Sequence, residues 1–328
     1  MIGTLALAGG VTLVWAGAVA VVDDAALRAI AVVVGLAVAY LGIDRLLRGI
    51  VGRRVPTDLW LSVFWLAVLA LAAILADWLP FTEARNSTLT FGEPISRPPD
   101  LFSEHPFGTD PFGLDLLGGV VYGARVSLQI SFGAVAIGFV LGGLIGILAG
   151  MLRGKFDAAV GVVTDALLAF PPLILLIGLM IAVEPSVLSL SATLAFLSVP
   201  TFIRLARANT LVFAKREFVS AAVGIGATRR RIIFRELAPN VALPLISYAF
   251  IVLAVLVVAE GSLSFLGLSI QRPEPTWGNM ISGGSRDIDR SPHLVLVPAT
   301  VMFLTVFALN RVGDSARKAW DPRESKLD

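Results

Sequence analysis

Eight stretches of this chain are apolar for long enough, or nearly so, to cross a hydrocarbon core, which takes about 20 residues of helix. They cover residues 2–22, 29–43, 59–76, 126–152, 158–183, 187–203, 241–259 and 294–310. In lipid the backbone finds no water to bond, so each stretch must close its hydrogen bonds within itself as a helix. That dictates an all-α polytopic membrane protein. Composition agrees: 56% of the 328 residues are hydrophobic and 15% are charged, where an ordinary soluble domain has about 25% charged. No Lys or Arg precedes the first stretch, so it lacks the positive opening of a secretory signal and is expected to be a retained span.

Basic residues set the expected orientation. Arg45, Arg48, Arg53 and Arg54 follow the second stretch, Arg153 and Lys155 the fourth, and Arg311, Arg317 and Lys318 the eighth. If eight spans alternate, these share one side with Arg204, Arg207, Lys215, Arg216, Arg229, Arg230, Arg231 and Arg235. The positive-inside rule makes that side the cytoplasm and places both termini there. It also explains a net charge of +2 without nucleic acid as a partner; membrane lipid is the expected surrounding. The opposite side receives residues 81–125 and 260–292, the first including the Pro-, Gly- and Asp-rich run "SRPPDLFSEHPFGTDPFGLD". This reads as an external connection too polar to span.

Much chemistry is excluded. With no Cys and two His, the chain has no disulfide framework, no thiolate nucleophile and no His-rich metal cluster. The phosphate-cradling GxxxxGK[ST] pattern, the GxSxG elbow and the HExxH pair are all missing from the sequence. His105 and His293 sit on separate external segments. We therefore expect no catalytic residue, metal or cofactor on this chain, and an energy source on another polypeptide.

Three features within the spans carry expectations. Gly138, Gly142, Gly146 and Gly150 recur every four residues, which lines them along one helix face where another backbone can approach closely. Pro171 and Pro172 kink the fifth stretch and free carbonyls, which a membrane tolerates only beside protein or water. Asp165 lies one to two turns before that kink; an intramembrane carboxylate is a functional candidate, with helix capping as the alternative.

Between the sixth and seventh stretches lies "EFVSAAVGIGATRRRIIFRELAPN", residues 217–240. A short helix runs from Glu217 with Ala221 and Ala222 on its surface, and Gly224 and Gly226 permit the positive φ of a sharp turn. Thr228 can cap a second helix whose apolar face is Ile232, Ile233 and Leu237 and which Pro239 ends. The result is a knob with an apolar ridge and a collar of Arg229, Arg230 and Arg231, suited either to seat in a groove of another protein or to rest on anionic lipid.

That run resembles the EAA loop of ABC-importer permeases, here about residues 205–240. "HPFGTDPFGLD", "GARVSL", "AGMLRGKFD", "EGSLSFLGLSIQRPEPTWGNM" and "LNRVGDSARKAWDPR" are similar, in order, to signature stretches of the C-type permeases of dipeptide and oligopeptide importers. The resemblance runs from about residue 59 to residue 323. It implies a six-helix type I permease core over 57–328, preceded by an additional two-helix hairpin over 1–56. It also implies a bacterial inner or plasma membrane location and the role of half a translocation pathway for peptides. The expected partners are a homologous second permease, two ATP-binding subunits that carry the ATP and Mg, and an extracytoplasmic substrate-binding protein. The loop would couple to the ATPase through Glu217, Ala221, Ala222, Gly226, Arg229, Arg230, Ile233, Leu237 and Pro239. His105, Asp110, Glu260 and Trp277 would lie at the external mouth or binding-protein contact.

Several positions depart from the family pattern. Glu236 stands where His is usual, Ala238 replaces Leu or Ile, and Leu114 replaces Arg. Gly119 stands near another usual Arg, and Gly161-Val162 replaces a Met-Arg pair, which leaves Asp165 without its expected cation. Other cargoes in the same class are nickel chelates, glutathione or another small solute. Readings from different classes are a proton-coupled secondary transporter using Asp165 and Glu260, and a membrane scaffold.

Overall fold

The computed structural model describes residues 8–13, 35, 38, 42, 56–100 and 103–320. But for isolated positions, the hairpin expected over 1–56 lies outside them. The chain divides into two compact units, Met1–Phe64 and Trp65–Asp328. From residue 57 onward the described chain is built from helices α1 (Thr57–Ile74), α2 (Leu116–Leu152), α3 (Gly154–Ala169), α4 (Pro172–Met180), α5 (Val187–Phe213), α6 (Glu217–Gly224), α7 (Arg229–Phe265), α8 (Trp277–Gly284) and α9 (His293–Trp320).

Five of these, α1, α2, α5, α7 and α9, are long and apolar enough to cross a membrane, and a sixth span results if the bent pair α3–α4 is counted as one. The helices outrun the apolar stretches that announce them. α2 and α7 each span 37 residues, so Arg125, expected in the external connection, lies inside α2. Hydropathy marks only the part of a helix at lipid depth, whereas backbone hydrogen bonding continues past it. The expected stop at Pro239 is likewise overturned. A π-helical turn over Ile232–Leu237 closes with the Ala238 amide donating to the Ile233 carbonyl, and α7 continues through the proline. The wider turn accommodates a residue that lacks an N–H and would otherwise clash with the preceding turn.

The tandem prolines do more than kink. α3 stops at Ala169, Phe170 and Pro171 are extended, and Pro172 opens α4. A residue before proline is driven out of the α region, and with two prolines in succession the pair α3–α4 bends by 90°.

The α2–α5 seam organises the bundle. A Cβ placed on Gly142 would lie 2.6 Å from the Val199 carbonyl oxygen, and one on Gly146 would lie 2.5 Å from that of Ile203. Gly138 is equally tight against Ser198 and Phe202, and Gly150 against Thr210. The stripe of four thus lies along one face of α5, backbone against backbone. Hydroxyl groups stitch the same seam beside Gly138 and Gly133: Ser198 donates to the Ala134 carbonyl at 2.7 Å and Ser191 to that of Ile130 at 3.0 Å. Around it pack Ile130, Leu190, Leu194, Phe202, Leu245 and Leu256, all essentially inaccessible.

Gly146→Val is expected to force α5 off α2 and cost about 1–3 kcal/mol as overpacking, read as a lower unfolding temperature of the detergent-solubilised protein. Gly161→Ala, where nothing lies within 4 Å, is the matched control and should be neutral or slightly stabilising.

Candidate functional site

The knob is built from the end of α5, the whole of α6 and the start of α7. α6 ends at Gly224, which is itself helical, and the chain reverses through Gly226 at φ +76°. Only the second of the two expected turn glycines is therefore in the left-handed region. The Thr228 hydroxyl accepts from the Arg231 amide at 3.3 Å and starts α7. Val219, Ala222, Ile232 and Leu237 form a small core of their own, against Met151, Phe213, Phe218 and Ala227. Ile233 is buried in the main core.

This reverses the expected ridge: Ile232, Ile233 and Leu237 are buried, as is Ala222, expected on the surface of α6, and all four support the knob from within. What it presents outward is different. Glu217, Ala221, Arg229, Arg230, Arg231, Arg235 and Pro239 are exposed, and so are three large apolar side chains, Val223, Ile225 and Phe234. Ile225, at the tip of the turn, is 76% exposed. The sequence carried a signal for this trio. Val223 and Ile225 flank the turn, and Phe234 falls on the helix face opposite the Ile232–Leu237 pair.

The loop between α1 and α2, expected to be external, is a cap, and its motif residues are occupied in making it. Asp115 precedes α2 and accepts from the Gly118 amide at 2.7 Å, the hydrogen bond that starts the helix. The His105 ring donates to the other oxygen of Asp115 at 3.1 Å. One oxygen of Asp110 accepts from the amides of Phe112 and Leu114, and the other from Arg272 at 2.8 Å. The Arg272 guanidinium lies 4.6 Å from the centre of the Phe112 ring. Trp277 is fully buried and donates to the Val120 carbonyl at 3.1 Å. Glu260, inside α7, accepts from the Ser269 hydroxyl at 3.0 Å. His105, Asp110, Glu260 and Trp277, expected at the external mouth or the binding-protein contact, are all buried within this chain. They tie loops to helix ends instead. Beside them a pocket of about 410 Å³ is lined by Arg85, Phe112, Arg272, Asn279 and Met280 among others, and Phe112 is its exposed apolar wall.

Arg125 joins α2 to the end of α1. Its guanidinium donates to the carbonyls of Ala73 and Ile74, at 2.8 and 3.0 Å, and to Asp77 at 2.7 Å. It thereby satisfies carbonyls that the helix leaves open. Two further ion pairs link α3 and α5: Arg204 donates to Asp165 at 2.7 Å, and Nε and Nη2 of Arg207 donate to the two oxygens of Asp157. Asp165, without the expected cation beside it in sequence, pairs instead with Arg204, 39 residues away. Among the described residues, no group of three or more His, Cys, Asp or Glu is placed to hold a metal.

The described residues thus form a bundle of long apolar helices, some of them bent or broken, with a polar cap at one end and an exposed basic knob between two candidate spans at the other. The chain belongs to the family described as binding-protein-dependent transport system inner membrane components, which matches residues 142–326. It is 34% identical over 263 residues to a dipeptide transport system permease protein of Alkalihalophilus pseudofirmus, covering 80% of this chain and 86% of that one. A putative peptide transport system permease of Brucella suis is 36% identical over 258 residues, 79% of this chain and 85% of the relative. A glutathione transport system permease of Escherichia coli is 34% identical over 262 residues, 80% and 85% respectively. Among solved structures, a chain of the MetNI methionine ABC transporter in an inward-facing conformation superposes with a TM-score of 0.52. At 19% identity it covers 62% of this chain and 96% of that chain, and it shows the shared fold.

The Arg125 hydrogen bond, opposed by partial desolvation, holds the Asp77 carboxyl below its ordinary value. A depressed carboxylate stabilises the fold fully above the ordinary range near 4 and loses that contribution as pH falls through the lower folded value. Asp77→Asn is therefore expected to unfold at a lower temperature than wild type at neutral pH. The gap should close in acid; a gap unchanged at pH 3 would remove the clamp from the account.

Proposed function

We propose that this chain forms half of the translocation pathway of an ATP-driven peptide importer in a bacterial inner membrane, with both termini in the cytoplasm. Residues 57–328 are the permease domain and 1–56 a separate transmembrane hairpin. Its partners are a homologous second permease, two ATP-binding subunits and an extracytoplasmic substrate-binding protein. ATP and Mg belong to the ATP-binding subunits; this chain contributes no cofactor site and no catalytic residue. The observation that carries the reading is the knob, with Val223, Ile225 and Phe234 exposed beside four arginines. An apolar trio rimmed by charge has the composition of a protein-binding patch, with anchors at its centre and a polar surround. Anionic lipid would attract the arginines, but it gives no reason for a tip held rigid by its own core.

Coupling requires that the ATP-binding subunit bind two permease states with different affinity. Glu217, Ala221, Gly226, Arg229, Arg230 and Pro239 make the contact together with the apolar trio. Ala222, Ile233 and Leu237 keep the surface in shape. The basic collar steers association with an acidic face. Peptide is favoured as cargo because dipeptide and peptide permeases stand among the relatives, and a glutathione permease, whose cargo is itself a tripeptide, is equally similar.

Copurification from the native membrane, then ATP hydrolysis and labelled dipeptide uptake in liposomes, tests this reading. Uptake without ATP but with a proton gradient would replace it with secondary transport, and neither activity would leave a scaffold. Ile225→Asp or Phe234→Glu should reduce copurification of the ATP-binding subunit by about tenfold or more, as for interface anchors. Both side chains are exposed, so thermal stability should hold. Gly226→Val, which must adopt positive φ, should weaken the same association by distorting the turn.

A further inference from the structure

α3 is held to the rest of the chain in an unusual way. Of its residues only Thr164 is buried, and Val162 and Val163 are 70% and 60% exposed. At one end it meets α2 through Arg153 and Gly154, both at positive φ; at the other it meets the break at Phe170 and Pro171. Between two irregular joints with little buried surface, its lateral ties are the ion pairs Asp157–Arg207 and Asp165–Arg204. Both reach α5.

The two ties are spread along α3. Asp157 and Asp165 lie eight residues apart, about 12 Å of helix, near its opposite ends, whereas Arg204 and Arg207 are three residues apart on α5. Two separated points fix the direction of a helix as one cannot. The order is antiparallel, with the later aspartate on the earlier arginine. Arg207 also faces two ways. Its backbone nitrogen and oxygen each lie 3.0 Å from where a Cβ would stand on Gly146 and Gly150 of α2, while its guanidinium holds α3. Six residues further on, α5 ends at Phe213, which packs into the knob's own core.

We propose that the Asp157–Arg207 and Asp165–Arg204 pairs form a strut that makes α3–α4 move as one body with α5. Displacement of the knob is thereby delivered to the bend at Pro171 and Pro172. This rests on the coupling reading above. The exposed Asp165–Arg204 pair adds little to stability and the Asp157–Arg207 pair is only partly buried, so these four are positioning residues that set which elements travel together. Arg204 acts here in the place of the cation missing from Gly161-Val162.

The chain has no cysteine, so spin labels at Val162→Cys on α3 and Ala208→Cys on α5 are the only thiol labels on it. In the copurified complex, the distance between them should be narrow and the same without nucleotide and when trapped with ATP and vanadate. It should broaden in the Asp157→Asn, Asp165→Asn double variant. Asp165→Arg or Arg204→Glu alone should lower ATP-driven dipeptide uptake by about tenfold while ATP hydrolysis continues, within the range of coupling seen for network residues. Combining the two reversals should restore uptake to within about twofold. Unchanged distance and uptake in the double Asn variant would overturn the strut. So would a reversal pair that restores assembly but not uptake, which also decides the case if the single variants fail to assemble. A label at Ser220→Cys that does not respond to trapping would sink the coupling reading itself. The ion pairs would then be a static brace, and their role in transmission would fall with it.

Discussion

The close contact between the glycine stripe of α2 and the backbone of α5 is the constraint on which the other elements depend. In a membrane, lipid tails are as apolar as Leu, so helices associate by dispersion contacts and short polar links rather than by escape from water. Gly138, Gly142, Gly146 and Gly150 let two backbones approach where any side chain would overlap a carbonyl or a Cβ. Ser191 and Ser198 add hydroxyl bonds to open carbonyls on the same line. With α5 fixed against α2, the rest of α5 becomes a rigid lever. Its arginines reach α3, and its last ring enters the knob.

The two ends of the bundle solve different problems. At one end, a loop rich in Pro, Gly and Asp spends its charged groups internally: Asp115 on the first turn of α2, His105 on Asp115, and Asp110 on two amides and Arg272. The cap is ordered because its polar side chains replace the water those backbone groups would otherwise need. At the other end, the knob keeps its arginines and three apolar side chains exposed. Groups satisfied within the chain hold shape, and groups left exposed beside a rigid core are available to a partner.

Much of this was legible in the residues. Apolar length gave the spans, a spacing of four gave the glycine face, and Gly226 with Thr228 gave the reversal and cap between α6 and α7. Burial direction was less accessible. Ile232, Ile233 and Leu237 form an apolar face in any helical reading, but which side that face meets depends on whether Phe213 and Met151 are near, and both are distant in sequence. The outer motif misled for the same reason. His105, Asp110 and Trp277 carry functional chemistry on paper, yet each found its partner across a turn or on another helix. Hydropathy also understated α2, α5 and α7, because it senses lipid depth and not the end of a hydrogen-bonded ladder.

The sequence by itself determined an all-α membrane chain with a basic hairpin between two spans, since uninterrupted apolar runs of about 20 residues fit a helix that bonds within itself and not the short alternating strands of a barrel, and charge cannot lie in hydrocarbon cheaply. Tertiary structure alone decided what each polar group serves. It brought Arg204 to Asp165 across 39 residues, Arg125 to Asp77 across 48 and Arg272 to Asp110 across 162. Those outcomes depend on distances between residues far apart in the chain, and local pattern fixes a residue's face on its own helix but not the neighbour that face will meet.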